Sequence, residues 1–132
     1  MIVGRMASYV AKQALLGNTI HIFNCEQAII TGTPKSVQED YWLRKKDIGQ
    51  PQTGPFLSKL PDRFVRRIIR GMLSHRKAKG KNAYRRIMCY IGVPSQFTGT
   101  KMEQLSWASG AKLTTTKVQT IGTVCKTLGW QQ

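Results

Sequence analysis

Residues 62–73 read DRFVRRIIRGML, and this stretch decides both the fold and the charge of the molecule. At 100° per residue Phe64, Val65, Ile68, Ile69, Met72 and Leu73 occupy one half of a helical wheel, while Arg63, Arg66, Arg67 and Arg70 fall in a narrow arc opposite. The spacing predicts an amphipathic helix with one half in a core and the other half guanidinium. Asp62, in the first turn, suits the positive end of the helix dipole.

Working outward, residues 63–87 carry ten arginines and lysines and no carboxylate, within a chain of 132 residues that holds 21 basic and 6 acidic side chains. The formal net charge is +15, and two thirds of the excess sits in this one fifth of the sequence. Such a molecule repels itself unless something negative meets it. Solvated helix faces normally mix signs, whereas Arg63/Arg66, Arg63/Arg67, Arg66/Arg70 and Arg67/Arg70 are like-charge neighbours that together cost the isolated helix about 1–2 kcal/mol. Arginine's planar fork pairs phosphate oxygens bidentately, so a phosphate backbone is the natural counter-surface. SHRKAKGKN (74–82) is expected to be a flexible basic loop. No helix-turn-helix, zinc-finger or zipper frame points to duplex DNA. Shaped RNA needs only basic surface, loops and an occasional exposed ring such as Tyr84, Phe56 or Trp107.

At 132 residues the whole chain is expected to build one domain. Met6, Val10 and Ala14, with Ala7 and Ala11 alongside, predict a helix over 4–16 that stops at Gly17-Asn18. TIHIF (19–23) and Ile29-Ile30 read as short strands. Either Thr33-Pro34 or the Ser36…Glu39 capping box starts a helix that runs to about Lys46. The proline- and glycine-rich stretch 48–61 is expected to be a loop. A shorter helix over 80–87, with Lys81, Arg85 and Arg86 on its outside, leads into a strand over 88–93. Residues 95–117 are polar and are expected to form an extended arm with a short ordered segment near 103–107. Ile121, Val124, Cys125 and Leu128 predict a last helix ending at Gly129. Helices interleaved with short strands imply an α/β domain, three-layer α/β/α, around a small, mostly parallel sheet of about four strands with an extended C-terminal arm.

Catalytic motifs are absent: there is no Gly-x-Gly-x-x-Gly, P-loop or His-Glu-x-x-His, and the six carboxylates form no evident pair. Cys25, Cys89 and Cys125 lack metal-site or disulfide-framework spacing and are expected to be buried thiols in a reducing compartment. His21 is expected at a strand's core or rim, and His75 in solvent or beside a phosphate. No apolar run approaches the roughly 20 residues of a membrane span, so a soluble, intracellular protein with no cofactor, metal, membrane or small-molecule partner is expected. A basic amphipathic helix can also lie on a lipid surface, but that would expose the apolar half that a small domain needs for its core. The competing readings are a free regulator binding mRNA and a nuclease.

IRGMLSHRKAKGKNAYRRIMCYIG (69–92) closely resembles the signature of the ribosomal protein thirteen family of the large subunit: an Arg/Lys-Gly-Met-Leu turn, a basic loop, a Gly-Lys/Arg helix start and a Tyr-x-Gly strand. GRMAS (4–8) and NCEQAIITG (24–32) are similar to further family motifs in the same order, and GPF…PDRFVRR (54–67) resembles the archaeal and eukaryotic form. The resemblance spans about residues 2–94 and is looser at the last helix. Family members usually have more residues before the Gly-Arg pair than the three found here. The resemblance implies a structural, non-catalytic protein of the large ribosomal subunit that binds large-subunit rRNA during assembly, ribosome-bound in the cytoplasm beside neighbouring ribosomal proteins. It implies a single rRNA-binding domain, with a core over 1–94 and the arm and last helix over 95–132. The matched motifs carry over Arg5, Arg66, Arg67, Arg70, Lys77, Lys79 and Lys81 as rRNA contacts. Charge geometry adds Arg63, Arg76, Arg85 and Arg86.

Overall fold

A computed structural model of the chain describes residues 1–46, 52–54 and 56–131. The elements in order are α1 (Val3–Leu15), β1 (Ile20–Ile22), β2 (Ile29–Thr31), α2 (Pro34–Lys46), α3 (Pro61–Gly71), α4 (Ala78–Arg85), β3 (Ile87–Cys89), β4 (Val118–Thr120) and α5 (Ile121–Thr127), with short 3-10 turns between them. The chain is a small α/β domain. Residues 48–51 and 55 of the expected 48–61 loop lie outside the described residues.

The helix expected from DRFVRRIIRGML is α3. Proline at its first turn costs no hydrogen bond there, and Asp62 follows it. Phe64, Val65 and Ile69 are buried, and Leu73, in the turn beyond the helix, joins them. Against α3 lies α1, which buries Val3, Met6, Ala7, Val10, Ala11 and Ala14 at helical spacing. Its alanines let the two helices approach closely. Ile22, Ile87, Ile121, Val124, Cys125, Leu128 and Trp130 complete one apolar cluster. Met72 departs from expectation: it caps α3, where the helical path ends, and is 43% exposed.

Among the described residues four strands are present, each three residues long, but they form two ladders. β1 and β3 pair in parallel, with Ile20 opposite Ile87 and Ile22 opposite Cys89. β2 and β4 pair antiparallel, with Ile30 opposite Gln119. A parallel bridge joins Ile2 to Ile29 at the outer edge of β2. β4, just beyond the polar stretch 95–117, is not among the expected strands; it pairs with β2, and Gln119 alone of its three residues is buried.

α5 is held at both ends. The Thr120 side chain accepts from the Thr123 backbone N–H at 3.2 Å, an N-cap bond. At the other end Gly129 takes φ 94°, the Trp130 N–H reaches the Cys125 carbonyl at 2.9 Å, and the Gly129 N–H reaches that of Lys126 at 2.9 Å. This paired closure satisfies carbonyls that the helix leaves free and favours glycine at the left-handed position. Of the two starts considered for α2, Thr33-Pro34 is the one used: the Val37 N–H bonds the Thr33 carbonyl at 3.0 Å, and Ser36 lies inside the helix.

Candidate nucleic-acid interface

The expected flexible loop after α3 is ordered. The His75 N–H bonds the Leu73 carbonyl at 2.7 Å, the Lys77 N–H bonds that of Ser74 at 2.9 Å, and the Lys81 N–H returns to Lys77 at 3.0 Å as α4 begins. Gly80 is buried against the turn it follows. A Cβ there would lie 2.2 Å from the Ser74 carbonyl oxygen, so only glycine lets α4 start this close to the end of α3. The residues read as a loop therefore split, with Arg76 and Lys77 in the turn and Lys79 and Lys81 on α4.

The eleven basic positions singled out above fall into two groups. Arg63 and Arg70 on α3, Arg76 and Lys77 in the turn, and Lys79, Lys81 and Arg85 on α4 are all exposed. None of these seven side chains has a hydrogen bond or ion pair among the described residues. The two ion pairs found there, Lys35–Glu39 at 3.9 Å and Asp40–Arg44 at 2.8 Å, both lie within α2. Excess positive charge on α3 and α4 is therefore not neutralised from within.

The other four are tied into the fold. Arg5 donates to the Trp107 carbonyl at 3.4 Å, fastening the short turn at Ser106–Ala108 to α1. Arg67 donates to the Phe56 carbonyl, fixing the segment that leads into α3. Arg86 donates to the Ala14 carbonyl at 3.3 Å, at the negative end of the α1 dipole where a cation is favoured. Arg66 lays its guanidinium over the Tyr84 ring at 4.6 Å, joining α3 to α4 by a cation–π contact. Each guanidinium has five N–H donors, so one internal bond still leaves donors for a partner.

Of the three rings considered for stacking, Phe56 is 69% exposed and Trp107 is 41% exposed with its edge against Tyr9. Tyr84 is half-buried beneath Arg66. His21 is exposed at the β1 edge, 3.3 Å from the Tyr90 hydroxyl, within a cluster that includes Phe23 and Phe97. Sequence reading did not include Lys12. It lines the same groove as Lys79 although the two are far apart in the chain, and only the packing of α1 beside the α3–α4 turn brings them together.

The cysteines are buried and unbridged. Its hydrogen bond to Cys25, together with burial, pushes the Cys89 thiol far up. The same bond holds Cys25 below its ordinary value. Burial pushes Cys125 up to about 12, with a smaller contribution from the Asp62 carboxylate. Among the described residues no group of three or more His, Cys, Asp or Glu side chains could hold a metal, and no helix is long and apolar enough to cross a membrane.

A small α/β domain with a face of unneutralised guanidinium and ammonium groups is of the kind that meets a polyanion. The family model described as ribosomal protein L13 matches residues 1–96. Along nearly its whole length the chain is also similar to archaeal proteins named large ribosomal subunit protein uL13. It is 41% identical to that of Haloarcula marismortui, covering 97% of this chain and 85% of the relative. It is 37% identical to that of Methanopyrus kandleri (98% and 82%) and 36% to that of Methanococcoides burtonii (98% and 92%). The chain belongs to the ribosomal protein L13 family, in its archaeal form, and is not an enzyme.

Proposed function

We propose that the protein is a structural constituent of the large ribosomal subunit that binds and organises large-subunit rRNA during assembly. The observation that carries the reading is the run of exposed, unpaired cations from Arg63 through Arg70, Arg76, Lys77, Lys79 and Lys81 to Arg85, set on a frame rigid enough to fix their spacing. Arg5, Arg67 and Arg86 brace the fold with one donor and Arg66 with its guanidinium face on Tyr84, and their remaining donors are offered to phosphate. The chain acts as one rRNA-binding domain, bound to the ribosome in the cytoplasm, with other large-subunit proteins as neighbours. The α/β architecture that goes with this reading sets helices against short strands paired both in parallel, at β1–β3, and antiparallel, at β2–β4.

Sedimentation tests the reading directly. Tagged protein expressed in an archaeal host should co-sediment with large subunits and protect a defined set of rRNA nucleotides from chemical probing. Protein that stays near the top of the gradient would instead favour a free RNA-binding regulator.

A further inference from the structure

Between the end of α1 and the turn after α3 lies a groove of about 460 Å³, lined by Ser8, Ala11, Lys12, Leu15, Leu16, Met72 and Lys79. Three large apolar side chains meet there in the open: Leu16 is 69% exposed, Met72 43% and Leu15 39%. One exposed leucine is ordinary, but three gathered from two distant segments make a patch. They are surplus to the fold. α1 already buries its own stripe through Val10 and Ala14, and Phe64, Val65, Ile69 and Leu73 supply the core from the other side.

The composition of the groove selects its occupant. Among the described residues Lys12 and Lys79 are the charged side chains in its lining, and both are positive. A phosphate backbone could use those two ammonium groups but has nothing to bury against Leu15, Leu16 and Met72. A second copy of this chain is a poor complement, because each copy carries +15 and only six carboxylates. An apolar floor with a cationic rim fits a polypeptide that brings an apolar side chain with a carboxylate beside it.

We propose that this groove docks an acidic–apolar segment of a neighbouring protein, whose apolar side chain rests on Leu15, Leu16 and Met72 while a carboxylate reaches Lys12 or Lys79. The inference rests on the reading that the chain works inside a large subunit, where such neighbours are present. At the edge of the basic face, the seated segment would close the seam between that neighbour, this protein and RNA.

Photocrosslinking distinguishes the occupants. Large subunits are purified from cells whose copy of this protein carries benzoylphenylalanine in place of Leu16, irradiated, and the adduct is mapped by mass spectrometry. The expected result is one protein adduct, at a peptide with an Asp or Glu next to an apolar residue. Met72→Glu in the same background should lower its yield several-fold while co-sedimentation with the subunit is unchanged. An adduct to RNA, a crosslinked peptide without such a carboxylate, or no adduct at all overturns the docking proposal while leaving the ribosomal reading standing. Failure of the protein to co-sediment with large subunits would sink that reading, and the docking proposal with it.

Discussion

Helices α2 and α3 carry the same number of basic residues, four each, and use them in opposite ways. On α2 the charges answer one another: Lys35 faces Glu39, Arg44 is hydrogen-bonded to Asp40, and Lys46 sits over the Trp42 ring at 4.5 Å. No residue of α2 is fully buried, and the helix is attached through the Tyr41 ring on Phe64 and Lys45 on the Leu128 carbonyl. On α3 the apolar half is sunk in the core, and its one carboxylate, Asp62, forms no ion pair with the arginines among the described residues. Counting charge cannot separate the two helices. What separates them is whether opposite charges pair along the helix and whether the other face is anchored.

The sharpest way to test this contrast is to remove an aliphatic side chain from each helix. Ile69→Ala, at a fully buried site, should cost about 2–5 kcal/mol, whereas Leu43→Ala on the exposed side of α2 should stay within about 0.5 kcal/mol, both measured by urea unfolding. Comparable losses would mean that α2 is as much part of the core as α3.

Next comes RNA affinity. Arg63→Gln with Arg70→Gln removes two exposed, unpaired cations and should weaken binding to the cognate rRNA fragment, with the log–log salt slope shallower by about 0.7–0.9 for each phosphate no longer neutralised. Arg44→Gln with Lys46→Gln removes two cations already engaged within α2 and should change the slope far less. Equal changes would erase the distinction.

Behind α3 lies a smaller, pH-dependent effect. Folding raises the Cys125 thiol from its ordinary 9.0 to about 12. The folded state therefore keeps a proton that the unfolded chain gives up. Its contribution is intact below about pH 9 and is lost as pH climbs toward 12, at up to about 1.4 kcal/mol per pH unit. Cys125→Ala should flatten that part of the decline in urea midpoint between pH 9 and 11, and an unchanged slope would contradict the burial argument. The smallest expected effect returns to α2. A double-mutant cycle on Asp40 and Arg44, an exposed i,i+4 pair, should give a coupling of about 0.3–0.5 kcal/mol that fades with salt.

The elements that sequence makes legible are those whose evidence is local. The wheel of α3, the alanine-rich stripe of α1 and the i, i+3, i+4, i+7 spacing of α5 each state a buried face without reference to the rest of the chain. The two ladders could not be read this way: a three-residue strand shows too few alternations to define a face, and VQT offers no apolar pattern at all. For the interface, the position of the basic residues was legible but their engagement was not. Nothing in the sequence says that Arg86 reaches back to Ala14, that Arg67 holds Phe56, or that Gly80 turns an expected floppy segment into an ordered one. The resemblance to the L13 family, carried by residues 69–92, is borne out by the family match. The small α/β class holds, while the strands of the described residues pair in two ladders rather than in one continuous sheet.

The contact of Gly80 with the Ser74 carbonyl has one more consequence. Because the turn is pinned, the backbone positions that carry these cations stay close together, and dilute buffer will crowd small anions onto that face. Docking on a nucleic acid then liberates those anions as well as the nucleic acid's own cations. The identity of the buffer anion, chloride against the bulkier and more weakly held glutamate, should therefore shift affinity at constant ionic strength.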